Sequence, residues 1–196
     1  AIEPLNGCGH CGFCDAGHSI HCEQGFSLLG VMADGGMAEY IKVPANKLIE
    51  LPSGLDVAIA SLVEPLAVAV HGVDRAQVRE GDRVLVIGAG PIGLAIGAVL
   101  RGRGIAYDIT ARYPHQQQAA ERLGGKLRAD GHYDVVMDAI GSAASLKQST
   151  TRVKPMGRIG LVGMFWEPTE LEQAFWAKEA VLIPAAGYYC KSPRRS

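Results

Sequence analysis

Four of the five cysteines fall between Cys8 and Cys22, in the spacing C-x2-C-x2-C-x7-C. No other stretch limits the possible folds as strongly. Zinc takes four thiolates in a tetrahedron with Zn–S near ~2.3 Å, and gaps of two residues let a tight turn aim successive sulfurs at one point. Gly7, Gly9, Gly12 and Gly17 lie in and beside this loop, as a backbone wrapped around a metal requires. Cys8, Cys11, Cys14 and Cys22 are therefore expected to hold a structural zinc, because four protein thiolates leave no open position for substrate. The competing reading is a pair of disulfides in a secreted chain. It suits gaps of two less well, and the opening residues AIEPLNG show neither the basic nor the apolar region of a secretory signal. A reducing compartment, the cytoplasm, is expected.

With 196 residues, 48% of them hydrophobic, the chain has enough apolar material for one large or two small domains. A formal charge of −1 supplies no basic field for nucleic acid, and no apolar run reaches the ~18 residues needed to span a bilayer. Neither a nucleic-acid nor a membrane partner is expected.

Beyond the cysteine loop, residues 37–43 and 47–51 read as short strands between the turn signals around residues 33–36 and Pro44. Ser53 or Asp56 can cap a helix over residues 57–62, and Pro65 suits the first turn of a second helix running to about Val73. Glu64 stands at their joint, where the helix dipole alone would favour a carboxylate. His71 reads as a packed or capping histidine.

The second informative stretch is EGDRVLVIGAGPIGLAIGAVLRGRG. Residues 83–87 form a short β-branched run of the kind buried in a parallel sheet, and a helix is expected from Pro91 to about Gly102. Between them Gly88, Gly90 and Gly93 match G-x-G-x-x-G. The first allows the tight turn, the second admits a pyrophosphate to the backbone, and the third lets helix and strand pack closely; the helix start offers free N–H groups to the anion. A lone glycine pattern is weak evidence, but the strand before it and the helix after it are the context that dinucleotide binding requires.

Cofactor choice is decided about 20 residues further on, at the end of the next strand, where an acid accepts from a ribose 2′-OH and an arginine accommodates a 2′-phosphate. That place falls at Ala111 or Arg112, and Asp108 comes too early. The sequence leans towards NADP, against the plain alternative of Arg112 as a solvated charge. A helix over residues 114–123, a strand over 133–139, a helix over 143–153 and strands over 158–164 and 180–186 complete a doubly wound α/β pattern. Only seven residues separate Gly125 from Tyr133. A strand, crossover helix and return usually need a dozen or more, so the third βα unit is expected to be reduced or absent. Cys190 has no partner at ligand spacing, and the KSPRRS end reads as a solvated tail.

The cysteine loop, the joint Glu64-Pro65-Leu66-Ala67 with His71, Gly81-Asp82 before the fingerprint, and Asp138-Ala139-Ile140-Gly141 occur in this order. In this the chain resembles the zinc-containing medium-chain dehydrogenase/reductase family, most of all its polyol and threonine dehydrogenase branch. The resemblance implies part of a GroES-like β-rich catalytic domain over residues 1–75 and a Rossmann domain over 76–196. It implies hydride transfer between NAD(P) and a secondary alcohol or polyol, or its ketone, in a homodimer or homotetramer. It places Gly88, Gly90, Pro91, Ile92, Gly93, Arg112, Ala139 and Gly163 at the cofactor, the last two near the nicotinamide half, and Glu64 on or near a catalytic zinc. The family takes the other ligands of that zinc chiefly from a segment upstream of the four-cysteine loop. The end of its β-rich domain is expected after about residue 190. An incomplete family member is thus expected, the alternative being a non-catalytic, zinc-stabilised nucleotide-binding fragment.

Overall fold

The computed structural model describes residues 1–189; Cys190 and the KSPRRS tail lie outside the described residues. The chain divides into two compact units, Ala1–Glu64 joined by the described residues from Gly187 on, and Pro65–Ala186.

The first unit has little regular structure. Strand β1 (Leu5–Asn6) pairs antiparallel with β2 (Ser27–Leu28), and the turn α1 (Gly12–Asp15) lies between them. A single bridge joins Ile2 to Leu48, and the short helix α2 (Val57–Ala60) is capped by Asp56, whose Oδ1 accepts from the Ala58 N–H at 2.9 Å. The strands expected over 37–43 and 47–51 do not form. Residues 45–47 make a 3-10 turn, and Met37 and Tyr40 are 104% and 90% exposed. A strand persists only beside a partner, and no described segment pairs with residues 37–44. Buried apolar side chains here are confined to Leu5, Cys11, Cys22 and Tyr188, alongside a buried Glu3 whose carboxylate is paired with Lys47 Nζ at 3.1 Å.

The second unit is a doubly wound parallel sheet. Helix α3 (Val63–Arg75) leads into β3 (Val84–Ile87), α4 (Pro91–Gly102), β4 (Tyr107–Thr110), α5 (Pro114–Arg122), β5 (Tyr133–Asp138), α6 (Ala143–Arg152), β6 (Val153–Leu161), α7 (Gln173–Trp176) and β7 (Val181–Pro184). The strand order is β4-β3-β5-β6-β7, all parallel. Alternation along the strands sends Val84, Val86, Ile109, Val135 and Met137 into one core with Ile96, Leu100 and Val73 of the helices. Leu85, Ile87, Val136 and Ile159 enter a second core on the other face, against which Phe175 of α7 packs. Order reverses at β3, which sends its successors to opposite sides, and such a reversal opens a crevice at the carboxyl ends of the strands.

Two expectations needed adjustment in this unit. Strand β6 starts five residues before the expected position, at Val153, because it pairs with Tyr133 across an irregularity between Tyr133 and Val135. It also stops at Leu161, since the N–H groups of Val162 and Gly163 both donate to the Asp138 carbonyl, at 2.9 and 2.8 Å, and turn the chain across the end of β5. The third βα unit is reduced as expected: after α5 a lone bridge between Asp108 and Lys126 stands where a strand would be.

No crossover helix covers that corner, and a polar cluster fills it. Asp108, 4% exposed, accepts from Arg128 Nε at 2.9 Å and from the Tyr133 hydroxyl at 2.8 Å, with Arg83 at 3.7 Å. A buried carboxylate needs such partners. Burial and then the hydrogen bond to Asp108 push the Tyr133 hydroxyl from 10.0 up to about 12. The folded state thus holds the phenolic proton more tightly than the unfolded chain, so this stabilisation is complete below pH 10 and is lost as pH rises through about 12. We expect Tyr133→Phe to cost about 1.5–3 kcal/mol in denaturant unfolding at neutral pH. The difference from wild type should shrink between pH 10 and about 12; a pH-independent difference would show that the phenol is not coupled to folding.

Candidate functional site

Three constellations positioned by these elements have chemical potential: the thiol cluster, the crevice at the end of β3, and Glu64.

The Sγ atoms of Cys8, Cys11, Cys14 and Cys22 all lie within 4.8 Å of one another, and none is in a disulfide. A zinc tetrahedron with ~2.3 Å bonds has S···S edges of about 3.8 Å, and the Cys11–Cys22 separation is 4.0 Å. Backbone N–H groups already point at the sulfurs, Cys8 N to Cys22 at 3.2 Å and Cys14 N to Cys11 at 3.5 Å, as anionic sulfur requires. The N–H groups of Glu23 and Cys14 draw the Cys11 thiol down to about 6. The Cys22 thiol is lowered too, chiefly by the Cys8 N–H. At Cys14 the Gly9 N–H also favours the thiolate, but desolvation and the neighbouring thiols outweigh it and push the thiol to about 11. One site thus favours anions that repel each other, which a divalent cation relieves. Gly7 has to be glycine: a Cβ there would stand 2.6 Å from Cys14 Sγ. Among the described residues this is the cluster of three or more metal-ligating side chains that the fold assembles.

The crevice, of about 470 Å³, is lined by Gly88, Ala89, Gly90, Thr110–Tyr113, Gln116, Ala139 and Ile140. Gly88 has φ +96°, and its N–H donates to Thr110 Oγ1 at 2.9 Å, tying the end of β4 to the turn. Gly90 caps α4 in an extended conformation open to any residue, and a Cβ added there meets nothing within 4 Å. A Cβ on Gly93 would stand 1.8 Å from the Gly88 carbonyl oxygen. Space is therefore kept in front of Gly90, beside the free N–H groups at the start of α4, and refused behind Gly93, which is the arrangement a pyrophosphate needs. Pro91 is the first helical residue, while Ile92 packs against the core and not towards the opening. Arg112, exposed, lies on the crevice wall with its guanidinium 5.3 Å from the Tyr113 ring centre. Asp108 lies well down β4, consumed by Arg128 and Tyr133. Ala139 lines the crevice; Gly163 packs behind it, where a Cβ would meet Gly141 N at 2.3 Å.

Glu64 stands in the first turn of α3, where desolvation raises its pKa above the ordinary carboxylate value. His71 is buried on the same helix, 8% exposed. A further cleft of about 390 Å³ lies at the opposite ends of β3 and β4, but its Arg83, Arg128 and Asp108 already satisfy one another. Sequence reasoning missed Thr110 and Gln116 on the crevice wall. Their hydroxyl and carboxamide carry no motif, and the only signal available was their position around the end of the second strand.

A glycine-lined crevice at the switch point of a doubly wound sheet, preceded in the chain by a four-thiol knuckle, is the combination found in zinc-type dehydrogenases. Residues 1–53 match the family model described as the alcohol dehydrogenase GroES-like domain. The chain is 31% identical over 181 residues to L-galactonate-5-dehydrogenase of Escherichia coli K12, an alignment covering 84% of this chain and 53% of that protein. Among solved structures it resembles the alcohol dehydrogenase RspB of Escherichia coli CFT073, complexed with NADH, at 30% identity and a TM-score of 0.88 over 97% of this chain and 61% of that one. It also resembles a zinc-binding dehydrogenase of Sinorhizobium meliloti 1021 bound to NADP, at 28% identity and a TM-score of 0.87 over 96% and 61% of the two chains. By these likenesses the chain resembles the zinc-type alcohol and polyol dehydrogenases. It spans 50–59% of the length of the curated relatives it matches.

We expect Gly90→Val to leave the unfolding midpoint unchanged while weakening nicotinamide nucleotide binding by at least about tenfold, whereas Gly93→Ala should destabilise the fold by about 1–3 kcal/mol. Equal effects of the two on stability would refute the division of labour between these glycines. For the knuckle, Cys11→Ser should lower zinc content and melting temperature together while nucleotide binding persists; metal analysis and calorimetry that match wild type would remove zinc from the account.

Proposed function

We propose that this chain carries the nucleotide-binding and structural-zinc parts of an oxidoreductase. It would transfer a hydride between NADP(H) and a secondary alcohol or polyol, or the corresponding ketone. The observation that carries the cofactor choice is the composition of the crevice wall. Its lining contains one charged residue, Arg112, and no carboxylate. A ribose 2′-OH would want an acceptor there, and a 2′-phosphate wants a cation.

In this reading Gly88, Gly90 and Gly93, with the start of α4 at Pro91 and Ile92, cradle the pyrophosphate. Arg112 holds the 2′-phosphate, and Ala139 and Gly163 shape the nicotinamide half. The bound nicotinamide supplies or accepts the hydride; the protein contributes orientation and the exclusion of water. Cys8, Cys11, Cys14 and Cys22 hold a structural zinc that fixes the first unit. For a second, catalytic zinc the described residues offer Glu64 as the one candidate ligand, and such a zinc would polarise the substrate oxygen. The substrate is a small molecule, the setting cytoplasmic, and the assembly a homodimer or homotetramer. The described residues contain no helix long and apolar enough to cross a membrane.

Titration of the purified protein with NADPH and NADH, followed by nicotinamide fluorescence, tests the proposal directly. NADPH should bind more tightly, and Arg112→Asp should weaken NADPH by about tenfold or more while improving NADH. Equal affinities before and after the substitution would end the assignment of Arg112. Absence of binding by either nucleotide at millimolar levels would end the dehydrogenase reading.

A further inference from the structure

We infer that Gln116 is a second specificity-determining residue of the crevice, reading the ribose 2′-substituent with its carboxamide N–H while its carboxamide oxygen holds the loop that carries Arg112. The inference rests on the NADP reading above and extends it to a residue with no motif of its own.

Gln116 is the third residue of α5, half-buried on the crevice wall beside Thr110, Arg112 and Tyr113. Its Oε1 accepts from two successive backbone N–H groups, Arg112 at 3.3 Å and Tyr113 at 3.4 Å. Two donors on one side determine which end of the amide faces the backbone, because the NH₂ end could not accept from either. The adjacent Gln117 completes the clamp, its Nε2 donating to the Ala111 carbonyl at 3.3 Å. Residues 111–113 are thereby held by side chains of the helix that follows them. Both ends of the Arg112 mooring are local, so the guanidinium is presented from a fixed backbone. Gln116 Nε2 makes no hydrogen bond to a described residue and sits on a wall whose lining has no carboxylate. A neutral two-hydrogen donor beside a lone arginine suits a phosphate, which offers acceptors only. It has little to give a ribose hydroxyl that an acidic residue would otherwise accept from.

Gln116→Glu separates the two roles, because a carboxylate still accepts from both backbone N–H groups but replaces the donor by an anion. Binding is read with adenosine 2′,5′-bisphosphate against AMP, and with NADPH against NADH, alongside melting of the nucleotide-free protein. The expected result is an unchanged melting temperature, a loss of about tenfold or more for the two 2′-phosphorylated probes, and affinities for AMP and NADH within about twofold of wild type. Parallel losses for all four probes, or an unchanged ratio, would reduce Gln116 to a loop clamp and overturn the inference while leaving the NADP reading intact. Wild-type protein that prefers NADH, or binds none of the probes, would overturn both.

Discussion

Helix α4 begins where β3 ends only because no side chain stands between Gly88 and Gly93. The clearance is very small: a single methylene at Gly93 would lie 1.8 Å from the Gly88 oxygen. That contact brings the helix start over the strand end and aims its unpaired N–H groups into the crevice. The Gly88 N–H, tied to Thr110, then sets the height of the β4 end against the same turn. The other walls of the crevice, the loop of Arg112 and Ala139 just past β5, stand around this junction. The site is thus a consequence of backbone proximity first and of side-chain chemistry second.

The first unit obeys a different constraint. Its buried apolar side chains are few, and many of its large ones, from Val31 to Leu62, remain exposed. Within the described residues, that leaves little apolar burial to set against the cost of ordering the chain. A metal held by the four thiols gathered within 4.8 Å would supply what packing does not, since metal binding free energy becomes folding free energy when the ligands are scattered in the unfolded chain. The same knuckle receives the returning chain: the His18 and Tyr189 rings meet edge to face at 3.8 Å, and Gly187 leaves room for Ile20, whose Cδ1 would lie 2.9 Å from a Cβ there. Both halves of the unit, early and late in sequence, are gathered around the cysteines.

What could be read from the sequence follows from how local the deciding interactions are. The cysteine spacing, the glycine fingerprint and the apolar runs of β3 and β5 are decided within a few residues, and each stands where the pattern placed it. Asp56 caps its helix and Pro65 sits in the first turn of α3 for the same reason. Residues 37–43 failed as a strand because a strand is a property of a pair, and residues 47–51 are reduced to one bridge, Leu48 to Ile2. The bounds of β6 were misplaced because its start depends on Tyr133 and its end on the Asp138 carbonyl, both on another strand. Thr110 and Gln116 were invisible because their partners are backbone groups, which leave no trace in composition.

Strand β4 links the missing crossover to the charge of the crevice wall. Beyond its single bridge to Lys126 it is an edge strand, and the face that a third βα unit would cover is closed by Asp108 with Arg128, Arg83 and Tyr133. Committed to that cluster, the only carboxylate of the strand is buried, doubly hydrogen-bonded and two residues short of the strand end. The end itself is left to Thr110, whose hydroxyl is engaged by the Gly88 N–H, and to the loop moored by α5. Closing that face with a polar cluster, in place of a helix, confines the carboxylate of β4 to the far end of the strand, and Arg112 is the one charged residue lining the crevice at the other.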